Sequence, residues 1–327
     1  MTVPFIPAHD PLGHTAILAH QANFPLLGLS LTVRSNSLAV VKAAWNSFGH
    51  WLELDEEFIV PSTPLDVAMV VHEGDNSAHP PGPFIFRLYG DCLLAAIGGN
   101  LLTAQRDRGW ALGFVTPELV AEEAFFRYNV LECLALALAS RHDRTPVHAA
   151  AVSRNGRALL LVGRSLAGKS TLSYACYREG LQFLAEDVVY VSTQGGLRLW
   201  SNSRQIYLAP EARSLFPELT GIPAKAQANG KVKLAIDLPV SSAGPPKPYA
   251  GRTIVCLLQH HASRKSALDP IDPHMLVEAL KEKAEPGFDL DPRMPEVVAA
   301  LARGDTYLLT NGRDLGGAVA LLKGLTD

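Results

Sequence analysis

With 327 residues, 48% of them hydrophobic and 19% charged, the chain has ample apolar material for a core and exceeds the roughly 100 to 200 residues of one ordinary domain. A formal net charge of −3 lacks the basic excess that neutralises a phosphate backbone, so no nucleic-acid partner is expected. No apolar run approaches the roughly 18 residues that cross a bilayer, and the opening MTVPFIPAHDPLGH has no signal-peptide architecture; a soluble cytoplasmic protein with no membrane partner is the expectation.

Two units are expected, a smaller α+β domain over residues 1–123 and a nucleotide-binding domain over 124–327. In the first, LGLSLTVRS reads as a strand, LAVVKAAWNSFGHWL as a helix and LDVAMVVHE as a second strand. The stretch from Pro83 to Val115 breaks into short apolar runs at Gly-Asp, Gly-Gly-Asn and Asp-Arg-Gly, which predicts an antiparallel meander. From Pro117 a helical period runs to His142, with acids early and Arg141–His142 late, as the helix dipole favours. The cysteines, Cys92, Cys133, Cys176 and Cys256, lie far apart without a C-x-x-C pair and read as buried reduced thiols.

The second unit opens with PVHAAAVSRNGRALLLVG, a hairpin turning at Asn155–Gly156. A helix over Ser170–Glu179 stops at Gly180, and LQFLAEDVVYV follows as one strand. A Gly195–Gly196 turn leads into LRLW. KVKLAIDLPV and RTIVCLLQ are further strands, separated by the loop SSAGPPKPYAG. Residues 219–231 read as a mobile loop, HMLVEALKEKA as a helix, TYLLT as a strand, and a helix closes the chain.

The chemistry concentrates between these elements. Gly163, Arg164, Ser165, Leu166, Ala167, Gly168, Lys169 and Ser170 fit G-x-x-x-x-G-K-[ST] in full, between an apolar strand and a helix whose first turn continues with Thr171. Glycines let the backbone wrap so that amide groups face phosphate oxygens, and the helix adds its positive end. Lys169 would reach the β and γ phosphates, and the Ser170 hydroxyl would hold Mg²⁺. The pair Glu186–Asp187 follows one short helix later, at the start of an apolar run, too early for the metal-binding acid of motor or transporter ATPases. Alone, His148 beside Ala149–Ala151 reads as a core histidine. Across the Asn155–Gly156 hairpin, beside the loop and the acids, it becomes a site candidate. His260–His261 lack a third metal ligand at useful spacing and read as loop residues.

His148, the loop 163–170 and Glu186–Asp187, in that order, resemble the catalytic domain of HPr kinase/phosphorylase and the wider group of HPr-kinase-like proteins, over about residues 140–325. The resemblance implies a phosphate loop set in the mixed sheet shared with phosphoenolpyruvate carboxykinase, with ATP and Mg²⁺ as cofactors. It implies Glu186 as the base that takes the acceptor hydroxyl's proton, Asp187 with Ser170 at the metal, and His148 modulating the base. Leu166 stands where the family has its middle glycine, and Glu186 where it has aspartate. Residues 1–123 do not resemble the family's N-terminal domain, so they are assigned to acceptor recognition or to homo-oligomer contacts.

Weaker candidates are Arg252, matching a family arginine on the transferred phosphoryl group, and Arg204, Lys231 and Lys233, as lining of an acceptor channel. Each also fits a plain surface charge. The expected activity is transfer of the γ-phosphoryl group of ATP to a serine or threonine hydroxyl of a protein or peptide, a natural-product precursor among the options. The alternatives are a small-molecule kinase and a non-catalytic nucleotide sensor.

Overall fold

The computed structural model describes residues 16–72, 84–227, 231–237, 247–261, 265–282 and 291–327. Its fold is mixed α/β, with parallel and antiparallel strands combined in its larger sheets. The expected start at 1–15, most of the loop SSAGPPKPYAG, and the ends of KVKLAIDLPV and HMLVEALKEKA lie outside the described residues. The chain divides into two compact units, one ending at His142 and the next beginning at Asp143.

The first unit begins with a hairpin that the sequence patterning did not disclose, β1 (His20–Leu26) against β2 (Leu29–Ser35). Its turn, Leu27–Gly28, has φ of 51° and 77°, the paired positive values of a two-residue turn that matches strand twist. Leucine is not a turn residue by composition, and this one is held there because its side chain is fully buried. After α1 (Leu38–Phe48) comes β3 (Leu65–Val71), parallel to β2. The meander is β4 (Arg87–Tyr89), β5 (Cys92–Ile97), β6 (Asn100–Gln105) and β7 (Trp110–Val115). Its antiparallel pairing is as expected, and β7 then joins β3 in parallel to close the order β1-β2-β3-β7-β6-β5-β4.

The single helix expected over 117–142 is instead four pieces: α2 (Pro117–Ala121), α3 (Glu123–Phe126), a π-helical turn Arg127–Glu132, and α4 (Cys133–Ser140). The first break falls at Glu122, whose ψ of 62° leaves the helical region. This segment packs with α1 and β3, so it belongs to the first unit, whereas the sequence reading sets the boundary between 123 and 124.

The second unit centres on a sheet ordered β12-β11-β8-β9-β16-β18-β17. Here β8 (Thr145–Arg154) and β9 (Arg157–Val162) form the expected hairpin, with Asn155 and Gly156 at φ 51° and 73°. β9 runs parallel to β16 (Arg252–His260), and β16 parallel to β18 (Asp305–Asn311); β17 (Ala267–Pro270) edges the sheet antiparallel. Both faces are covered, which is why LLLV reads as an unbroken apolar run. Leu159 and Leu161 turn to one side with α5 (Lys169–Arg178) and α8 (Leu315–Gly324). Ala158 and Leu160 turn to the other, with α6 (Pro273–Glu282) and α7 (Met294–Ala302). Full burial of such a leucine contributes about 2 kcal/mol.

LQFLAEDVVYV is two strands, β10 (Gln182–Ala185) and β11 (Val188–Ser192), both paired with β8; β12 (Arg198–Trp200) continues from β11. A separate small sheet, β13 (Gln205–Leu208), β15 (Val232–Asp237) and β14 (Ala224–Ala226), packs Ile206, Leu208 and Leu234 onto the α5 side of the core. β14 replaces part of the mobile loop expected over 219–231; residues 228–230 of that loop lie outside the described residues. The four cysteines are free thiols, Cys176 and Cys256 buried, Cys92 and Cys133 half-buried. No helix among the described residues is long and apolar enough to cross a membrane.

Candidate functional site

The loop 163–168 leaves the carboxyl end of β9 and re-enters as α5. Gly163 has to be glycine because an added Cβ would lie 2.9 Å from the Ala167 Cβ and 3.1 Å from that of Leu258 on β16. Gly168 sits at φ 93°, ahead of the first helical residue, Lys169; that backbone favours glycine. Between them the Ala167 N–H donates to the Arg164 carbonyl at 3.1 Å. Leu166 lies at the tip with φ 68° and its side chain 98% exposed. Arg164 and Ser165 are exposed beside it, and Thr171 is half-buried in the first turn of α5.

Lys169 is buried, and its Nζ donates to the carbonyls of Gly163 at 2.9 Å and Arg164 at 3.3 Å. The ammonium is thereby placed inside the curl of the loop, where the amide groups and the α5 dipole also favour an anion.

The acids reach this loop through the ladder along β8. Ala185 lies opposite Ala151 and Val188 opposite His148 in one unbroken register, so Glu186 and Asp187 fall opposite Ala150 and Ala149. An irregularity between Phe183 and Ala185 sets that register. Adjacent strand residues face opposite sides. Accordingly Glu186 turns inward, 8% exposed, and its Oε1 accepts the Ser170 hydroxyl at 2.7 Å. The Asp187 side chain is 58% exposed, and its Oδ1 accepts from His148 Nε2 at 2.9 Å.

This arrangement corrects one expectation. His148 was assigned to modulate Glu186; it is bonded to Asp187, because the antiparallel register sets it beside Val188 and the neighbouring outward-facing carboxylate. The two carboxyls consequently differ in character. Burial pushes Glu186 up to about 7, against the opposing Ser170 hydrogen bond. The His148 hydrogen bond holds Asp187 below the usual carboxylate range, burial opposing it.

The weaker candidates separate. Arg252 opens β16 opposite Arg157, at the far end of β9 from the loop and ion-paired with Asp305. The length of β9 alone, at about 3.3 Å per residue, sets it roughly 17 Å from the loop, so its expected phosphoryl contact is not made. Arg204 is exposed one residue from Ser203, whose Oγ accepts the Glu186 N–H at 3.4 Å. Lys231 is exposed, and the Lys233 ammonium favours the charged form of both Glu186 and Asp187.

Two residues escaped sequence reasoning. Asn311, ending β18, has its Nδ2 3.1 Å from where a Gly168 Cβ would stand, and its buried Oδ1 has no hydrogen-bond partner among the described residues. Ser203 reaches Glu186 from the segment before β13. Neither had a local signal, since both arrive from distant chain.

Among the described residues no group of three or more His, Cys, Asp or Glu is placed to hold a metal by itself. Ser170 with a carboxylate fits Mg²⁺ instead, an ion usually held by one or two carboxylates with phosphate and water oxygens completing its shell. The Asn311 Nδ2 beside Gly168 and the loop-held Lys169 ammonium are donors that fit a nucleotide's phosphate oxygens.

No protein-family model matches the chain. No curated protein matches it. Among solved structures the chain is similar to the Hpr(Ser) kinase/phosphatase from Coxiella burnetii, at 14% identity over 48% of this chain and 88% of that one, with a TM-score of 0.22.

Proposed function

We propose that the second unit is an HPr-kinase-like, Mg-ATP-dependent kinase that phosphorylates a serine or threonine hydroxyl of a protein or peptide. The observation that carries this reading is the contact of Ser170 with Glu186 at 2.7 Å, made at the N-terminus of α5 beside a buried lysine curled into its own loop. A bare nucleotide-binding turn needs no acid there. Phosphoryl transfer does, because it depends on alignment, charge neutralisation and a positioned carboxylate.

The loop amides and Lys169 would hold the β and γ phosphates, and Ser170 with Glu186 would hold the metal. Bound Mg²⁺ supplies neutralisation of charge developing on the phosphoryl oxygens. Asp187, exposed, and both oriented and kept ionised by His148, takes the proton from the acceptor hydroxyl. The resemblance implies the reverse division, with Glu186 as base and Asp187 at the metal. The Ser170–Glu186 contact favours the division proposed here. Residues 1–123 would serve acceptor recognition or self-association.

The test incubates the purified protein with γ-labelled ATP and Mg²⁺ in a lysate of its source organism, beside Lys169→Ala. Label on a discrete protein or peptide, absent with the variant, is the expected result. Label only on a small molecule would select the small-molecule kinase. Nucleotide binding with no transfer to any component would select the sensor.

A further inference from the structure

Beyond the phosphate loop, the small sheet carries two like charges side by side. Lys225 on β14 lies directly opposite Lys233 on β15. Side chains directly opposite share a face, and like charges so placed destabilise the pair. The other face of β15 carries Leu234 into the core, so both lysines occupy the outward side. Neither makes an ion pair among the described residues; Asp237, farther along the same face, is engaged by Gln205 Nε2 at 2.6 Å.

Among the described strands, β14 is also the sheet's edge. Its three residues are all exposed and, among the described strands, it pairs only with β15. The Gln227 N–H donates to the Lys231 carbonyl at 2.8 Å in the same register. In an antiparallel ladder, hydrogen-bonded and non-bonded pairs alternate. Lys225 therefore spends its backbone groups on β15, while Ala224 and Ala226 point theirs away from it. Natural edges are ordinarily protected by charge or covered. Here the charge is a lysine pair of one sign, of which Lys233 also favours the charged forms of Glu186 and Asp187.

We propose that the outer edge of β14 seats an extended, acidic segment of the acceptor, which joins the small sheet as a fourth strand and sets carboxylates against Lys225 and Lys233. Main-chain hydrogen bonds to Ala224 and Ala226 supply sequence-tolerant affinity, and the lysine pair supplies the selection for acidic sequence. The inference rests on the reading of the site as a protein or peptide kinase, and it names the class of acceptor. The β-augmentation geometry would lay the acceptor beside Lys225, with β14 between it and the Lys233 strand.

The probe is a labelled peptide of alternating Glu and Val with Ala in place of an acceptor Ser, beside its Lys-for-Glu counterpart, titrated against the full chain by fluorescence anisotropy. The acidic peptide is expected to bind, more weakly as salt rises. Lys225→Glu/Lys233→Glu should weaken it by about tenfold or more and gain the Lys peptide. Ala226→Pro, which deletes an outward N–H without touching the β15 ladder, should weaken the acidic peptide while both lysines remain. Equal binding of the two peptides, or an acidic-peptide affinity untouched by the charge reversal, would overturn the proposal. So would a charge reversal that abolishes ATP binding instead, since the lysines would then serve the nucleotide. Charge-following binding without transfer of label from γ-labelled ATP to the Ser form of the peptide would support the docking edge and sink the kinase reading.

Discussion

Ser170 and Glu186 are joined by a 2.7 Å hydrogen bond, while the adjacent Asp187 turns the other way to meet His148 at 2.9 Å. Two consecutive acids are thus split between a phosphate-loop hydroxyl and a histidine. The split yields a variant test. Glu186→Gln should raise the Mg²⁺ concentration needed for half-maximal transfer by about tenfold, the range for losing a support of a bound metal. Asp187→Asn should lower kcat by roughly 10²- to 10⁴-fold, as loss of a general base does, with the Mg²⁺ requirement little changed. Metal titrations of labelled transfer distinguish the two; the opposite pattern would return the roles that the resemblance implies.

Stability should fall as pH rises through the range where Glu186 ionises. Its carboxyl is raised from 4.5 to about 7 by burial, so the folded chain holds a proton that the unfolded chain releases. The contribution is fully present below about 4.5 and lost as pH climbs through about 7. At 1.36 kcal/mol per pH unit the shift amounts to at most about 3 kcal/mol. Urea midpoints at pH 5 and pH 8 should differ in the wild type, and Glu186→Gln should remove most of that difference. An unchanged difference in the variant would place its origin elsewhere.

The centre of the second unit was legible because its signals are local. Asn155–Gly156 announces a turn by composition, and both residues take positive φ. The phosphate-loop pattern requires a strand before it and a helix after it, and β9 and α5 supply them. The hairpin then predicts that His148 approaches the acids, although only the register determines which acid it meets. What escaped reading was non-local or atypical. Leu27 sits in a hairpin turn because burial holds it there, not because leucine favours turns. Glu122 breaks a helix whose apolar period continues through it. Arg252 lies at the wrong end of a parallel strand, a fact that sequence position cannot reveal until strand direction is known.

Lys169→Ala should leave the fold standing and weaken nucleotide affinity. Its ammonium donates to two loop carbonyls, and losing such a contact costs about 1 to 3 kcal/mol. The larger loss concerns the bound phosphates, where charge-assisted bonds are roughly twice as strong. ATP affinity measured calorimetrically should fall by about tenfold to a hundredfold, and transfer should vanish. Wild-type affinity in this variant would sink the phosphate-loop assignment.

Leu166 offers a gain instead of a loss. At φ 68° it occupies the left-handed region, and its side chain, 98% exposed, recovers nothing by packing. For an L-residue that conformation costs roughly 1 to 2 kcal/mol. Glycine removes the penalty but adds about 0.5 to 1 kcal/mol of unfolded-state entropy. Leu166→Gly should therefore stabilise the chain by up to about 1.5 kcal/mol, read as a higher urea midpoint at unchanged slope. If the strain holds the loop open for phosphate, ATP affinity should fall in the same variant; if the loop closes onto phosphate more easily without it, affinity should rise. Measuring stability and affinity on one preparation separates those outcomes, and a lowered urea midpoint would mean that Leu166 makes a stabilising contact and is not strained.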